Sequence, residues 1–259
     1  MADPIPDPPS DHPTGPAASV ARADREAVVL AGHRGDLVTV VDALAASEPP
    51  VRAAALGALV RIAARAPIDP DVVPDALARA LADPDPTVRR RAAAEVARWA
   101  ATCSEPTRAE PSEPEPTEPE PTGAAPTPVV DGLLGRLIDD EVDTVTEVAA
   151  FACGELALDD RTRPLVVAAL DRLARTHADS LCREAAVAAL GSIGDPAGLT
   201  AVLHGCSDRA TVRRRAVLAL AAFDDPAATE ALRRLVADRD LQVRQSAEEL
   251  LAIESGETT

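Results

Sequence analysis

The chain of 259 residues holds no lysine, no asparagine and no tyrosine, and only one tryptophan and two phenylalanines. With so few rings, burial has to come from Ala, Val, Leu and Ile, and an apolar share of 46% is enough for a core. Alanine is the best helix former and lets backbones approach closely, so this composition suits many short packed helices better than a sheet. Four cysteines, at 103, 153, 182 and 206, show no C-x-x-C and no framework spacing; two of them, Cys153 and Cys182, fall at apolar positions of a helical pattern, which reads as small buried thiols in a reducing cytosol. No apolar run approaches the roughly 18 residues of a membrane span. The acidic, proline-rich start lacks the basic region of a signal peptide, so the expected location is cytoplasmic. His12, His33, His177 and His204 are the only histidines; none is followed by glutamate and none forms H-x-x-x-H, so neither a metal nor another cofactor is expected. No glycine-rich phosphate loop and no nucleophile elbow is present.

Charge is abundant but one-sided. All 26 basic residues are arginine, and the net charge is −17. Acidic excess without lysine is what a salt-filled cytoplasm selects, since carboxylates keep a surface hydrated while salt screens their repulsion. The expected source is an extreme halophile. The same balance argues against nucleic acid as a partner, although two arginine triplets occur at 89–91 and 213–215.

Between Asp179 and Ile253 one helical phrase is written three times. Cys182, Arg183, Ala186 and Leu190 match Val212, Arg213, Ala216 and Leu220, and then Val243, Arg244, Ala247 and Leu251. A fixed period of this length marks a stacked repeat, not a closed globule. The same columns recur upstream in Val51, Arg52, Ala55 and Leu59, in Val88, Arg89, Ala92 and Val96, and, with threonine for arginine, in Val145, Thr146, Ala149 and Cys153. Each phrase is the second helix of a pair. Counted from its first residue, offsets 0, 4, 7, 8 and 11 fall on one buried face, and offsets 2, 6 and 9 on the opposite one.

These patterns predict an all-α, right-handed α-solenoid of about six two-helix repeats with an N-terminal capping helix. Residues 1–19 are expected to be a disordered acidic, proline-rich start, and residues 20–102 the cap with repeats 1 and 2. Residues 103–128 form a Glu/Pro-rich insertion expected to be disordered, 129–254 repeats 3–6, and 255–259 a polar tail. The insertion is expected to leave the stack continuous.

The repeats resemble HEAT repeats, particularly the short class first described in phycobilisome lyases and widespread in archaea and bacteria. The resemblance covers roughly residues 36–253. It implies a ladder in which the arginine opening each second helix meets an acidic residue of a turn. The arginines are Arg52, Arg89, Arg183, Arg213 and Arg244. Their acidic counterparts, three residues before the first apolar column, are Glu48, Asp85, Asp179 and Asp240. The fifth copy has Arg209 there with Asp208 one residue earlier, and the third has Val142. An arginine in a first helical turn faces the positive end of the helix dipole, which independently calls for a nearby carboxylate.

In related repeats the second helices line the concave face. The exposed offsets place Arg90, Glu147, Phe151, Glu184, Arg214 and Leu218 there as the candidate protein-binding face. The expected function is a monomeric, non-enzymatic protein-interaction scaffold or adaptor, in a regulatory or signalling assembly. The alternative is a lyase-type or other enzyme accessory factor.

Overall fold

The structure, a computed structural model, describes residues 16–104 and 124–255. The expectations of disorder for residues 1–15 and of a polar tail at 256–259, and most of the expected insertion, lie outside the described residues. Thirteen α-helices occupy the described part, with short 3-10 turns and no strand among them. The chain is an all-α solenoid. Helix α1 (Pro16–Arg34) precedes six pairs: α2 (Leu37–Ala43) with α3 (Pro49–Ala63), α4 (Val72–Leu81) with α5 (Pro86–Ser104), and α6 (Thr127–Asp139) with α7 (Asp143–Gly154). Then come α8 (Arg163–Thr176) with α9 (Ser180–Ile193), α10 (Leu199–Gly205) with α11 (Ala210–Ala219), and α12 (Pro226–Leu235) with α13 (Leu241–Ser255).

Helix boundaries follow local chemistry. Gly194, at φ 66°, ends α9 in the left-handed conformation and donates its N–H to the Leu190 carbonyl. Asp195 then caps the next turn by accepting from the Ala197 amide, and Pro196 takes the first position. Asp225 and Pro226 repeat the device before α12. Three boundaries differ from the pattern-based expectation. Helix α1 starts at Pro16, inside the stretch expected to be disordered, because Ala17, Ala18, Val20 and Ala21 continue it without a break. Helix α5 runs through Cys103 to Ser104, and α6 begins at Thr127, so both invade the expected insertion.

The core is a column along the stack. Ala55, Ala92, Ala149, Ala186, Ala216 and Ala247 are fully buried, with Leu56, Leu59, Leu77, Leu133, Leu170, Leu190 and Leu232 packed around them. Second helices lie directly against one another from repeat to repeat, and α1 packs on α3 as if it were the second helix of a preceding pair. Helix α5 packs on α7, and α4 on α6, so the third pair stacks on the second as the others do. The approach is close: a Cβ on Gly191 of α9 would lie 2.6 Å from the Ala219 Cβ of α11. Cys153 and Cys182 are buried in these columns, and burial pushes each thiol up to about 12. Among the described residues no helix is long and apolar enough to cross a membrane.

Candidate protein-interaction face

An arginine ladder runs along the edge of the stack where each second helix begins. Arg52 grips Asp83 through Nε and Nη2, both at 2.8 Å, and donates from Nη1 to the carbonyls of Ala46 and Ser47. Arg89 does the same with Asp140, Arg183 with Asp208, and Arg213 with Asp238. Each rung therefore joins one repeat to the next by a two-pronged ion pair, while the third nitrogen satisfies carbonyls of the arginine's own turn. Arg89 and Asp140 are the most enclosed pair, with side chains 5% and 0% exposed.

The five arginines stand where the repeat predicts, but the carboxylates are others. Asp83, Asp140 and Asp238 lie five residues before the apolar column, and Asp208 lies four before it. Asp85, Asp179 and Asp240 instead cap helices, accepting from the amides of Thr87, Leu181 and Gln242. Glu48 makes no side-chain cap bond. A carboxylate three residues ahead of the column is well placed for the free amides of its own helix, whereas one two residues earlier sits in the turn and faces the preceding repeat. Asp208 and Asp140 supply the rungs that a strict spacing left open in the fifth and third copies. Among the described residues, Arg244, in the last repeat, meets only a carbonyl, that of Asp238.

Neighbouring charge holds the rung carboxylates low. For Asp208 and Asp238 the guanidinium bond is the leading cause and outweighs burial. For Asp83 and Asp140 burial is the largest influence and pushes up, but the arginines and turn amides together overcome it.

One rung is absent on both sides. Thr146 replaces the arginine of repeat 3 and bonds through its hydroxyl to the Arg136 carbonyl. The turn of repeat 4 offers His177 where its equivalents offer aspartate. His177 keeps the local part of the role, accepting the Asp179 amide on Nδ1 as Asp83 accepts the Asp85 amide.

The candidate face divides into exposed and engaged positions. Arg90, Phe151 and Leu218 are exposed, and both apolar side chains stand 51% open to solvent. Arg214 is not free: its guanidinium is clamped on Asp240 at 3.1 and 2.6 Å, and this holds Asp240 down to about 2. Glu184 accepts from Arg215 at 3.1 Å. Glu147 is half-buried. Offset 9 does not belong to the face, because Gly191 abuts the next helix. Sequence reasoning missed Glu95, a fully buried carboxylate where four other repeats carry alanine; it is held by Arg91 and Arg98, each at 2.8 Å. Its Arg-x-x-x-Glu-x-x-Arg spacing was the available signal. Among the described residues no group of three or more His, Cys, Asp or Glu side chains is arranged to hold a metal ion.

Residues 174–252 match the family model for HEAT repeats. Solved structures are similar over most of the chain. An engineered protein is 22% identical at TM-score 0.54, covering 85% of this chain and 97% of its own. A designed armadillo repeat protein is 19% identical at TM-score 0.55, covering 83% and 98%. At these identities the likeness shows the fold, a helical-repeat solenoid. Human deoxyhypusine hydroxylase in complex with glycerol is 24% identical over 91% of this chain and 80% of its own, but a TM-score of 0.42 is too loose to bring an activity across. Among curated proteins none matches the chain in sequence.

Proposed function

We propose that the protein is a non-enzymatic adaptor of a salt-rich cytoplasm that holds a protein partner along its second helices. The observation that carries this reading is the pair of large apolar side chains, Phe151 and Leu218, left half-open at the same offset on helices α7 and α11. Phe151 is one of two phenylalanines in the chain, and a half-open aromatic ring on a helix face is the kind of side chain that anchors a protein partner. Second helices pack directly on one another from repeat to repeat, so a partner laid along them would meet one continuous surface.

The test compares the protein with a Phe151→Ala, Leu218→Ala variant as bait in a lysate at native salt. A protein retained in stoichiometric amount by the first and lost by the second, with unchanged melting temperature, is the expected result. Equal retention by both would remove this face from the function.

A further inference from the structure

The two arginine triplets stand at the same position in repeats 2 and 5 and meet opposite surroundings. In repeat 5, Arg214 is matched by Asp240 of the following repeat and Arg215 by Glu184 of the preceding one. The corresponding neighbours of Arg90 and Arg91 in repeat 2 are Val142 and Ala53, so neither arginine receives a carboxylate from an adjacent repeat. Arg91 turns back on Glu95 in its own helix, and Arg90 is left exposed with no ion pair among the described residues.

Two more arginines arrive at the same place. Arg25 of α1 and Arg61 of α3 line, together with Arg90 and Arg91, a groove of about 510 Å³ that also has Val29 and Val148 in its wall. Neither Arg25 nor Arg61 has an ion pair among the described residues, and Arg61 Nη1 and Arg91 Nε are buried there without a hydrogen-bond partner. Space for this is provided by Gly57, where a Cβ would fall 2.0 Å from Arg91 Nη2. A glycine inside a helix is less stable than an alanine, so α3 gives up helix stability to let the guanidinium lie across it. On a chain of net charge −17, four converging arginines with one carboxylate beneath them are a local reversal of sign.

We infer that this groove binds an acidic, extended peptide segment of the partner protein, its carboxylates on Arg25, Arg61 and Arg90 and an apolar side chain against Val29 and Val148. The inference rests on the adaptor reading and names the chemistry of the partner. Guanidinium forks match carboxylates two-pronged, and their bond strengthens where water is excluded. Phe151 lies one turn beyond Val148 on α7, which extends the apolar side of the groove along the same face. A nucleic acid fits less well. Its affinity grows with the number of phosphates neutralised along a track. Here the track ends at Glu147 and at the already paired Arg214 and Arg215.

The probe is a fluorescein-labelled peptide of eight glutamates around a central leucine, followed by anisotropy in the lowest salt that keeps the full helical circular dichroism. The protein should bind it, with affinity falling as salt is added, and should ignore the glutamine counterpart. Arg25→Glu with Arg90→Glu should weaken binding at least tenfold at unchanged melting temperature; Arg90→Gln, which keeps the stem and removes the charge, should weaken it several-fold. Unchanged binding by these variants, or equal binding of the glutamine peptide, overturns the inference. So does equal affinity for an oligothymidylate of similar length, which would assign the groove to nucleic acid. Residues 105–123 carry six glutamates of this same chain. A variant lacking them that binds the probe tenfold more tightly would give the groove to that segment and overturn an external occupant. A captured partner that needs Phe151 but neither Arg25 nor Arg90 would end this inference and leave the adaptor reading standing.

Discussion

An arginine whose three nitrogens are all committed is a different object from a surface cation. Arg89 satisfies Asp140 and Glu141 ahead of it and the carbonyls of Asp83 and Pro84 behind it, so its removal takes the two-pronged partner from a fully buried carboxylate. Breaking a buried pair costs about 3–5 kcal/mol. Because Arg136 also reaches Asp140 at 3.0 Å, Arg89→Ala should fall near the lower end, ~3 kcal/mol, measured by urea unfolding. The rung aspartates also set a pH dependence. Their folded pKa values are depressed, so their contribution is complete above the unfolded value of about 3.9 and is lost as pH falls through the folded values. Stability should be level above about pH 5 and decline below about pH 4. In the double variant Asp208→Asn, Asp238→Asn it should be lower at pH 7, and the acid decline should be shallower. An equally steep decline would place the acid sensitivity elsewhere.

At the scale of the element, the arginine half of each rung was legible and the aspartate half was not, for a physical reason. The arginine is locked to the helix and keeps its distance from the apolar column, whereas the aspartate sits in a turn that runs from three residues (140–142) to five (236–240). Position in a helix repeats; position in a turn does not. The exposure of Phe151 and Leu218 could be read from helical periodicity, but the engagement of Arg214 could not, because it depends on which residue the adjacent repeat presents. Glu95 shows the same limit, since its burial follows from Gly57 on another helix. The vacant rung between repeats 3 and 4 makes the pairing testable. Thr146→Arg alone buries an unmatched cation and His177→Asp alone adds an unmatched anion, so each should destabilise. Together they should recover a coupling of about 0.5–3 kcal/mol in a double-mutant cycle. A coupling of zero would mean that the geometry of this junction differs from that of the other four.

Across the whole molecule, the balance of charge outweighs any single pair. A net charge of −17 on 259 residues repels itself, and the rungs offset only a few of the 43 carboxylates. Between 1 M and 0.1 M salt the Debye length grows from about 3 Å to about 10 Å, which brings neighbouring repeats within reach of each other's charge. Helical circular dichroism should therefore fall as salt is withdrawn, and full helicity at 0.1 M would mean that the acidity serves solubility and not salt adaptation. Because each repeat touches only its neighbours, such loss should begin where the coupling between repeats is weakest.

The absent rung also bears on how such a chain can be lengthened or shortened. Repeats 2, 5 and 6 each carry an aspartate for the repeat before and an arginine for the one after, so these units could be duplicated or exchanged and the new junctions would still close, whereas repeat 1, with Ala46 in the aspartate's place, can only begin the series. Repeats 3 and 4 are outside this grammar. A duplicate of repeat 3 set before repeat 3 would place the copy's Thr146 opposite the original Asp140 and leave that enclosed carboxylate without the two-pronged guanidinium of a preceding repeat. A repeat 4 set after repeat 5 would offer Arg213 a histidine. The two repeats fit side by side and would be costly apart, so any rearrangement of the series has to move them as one block.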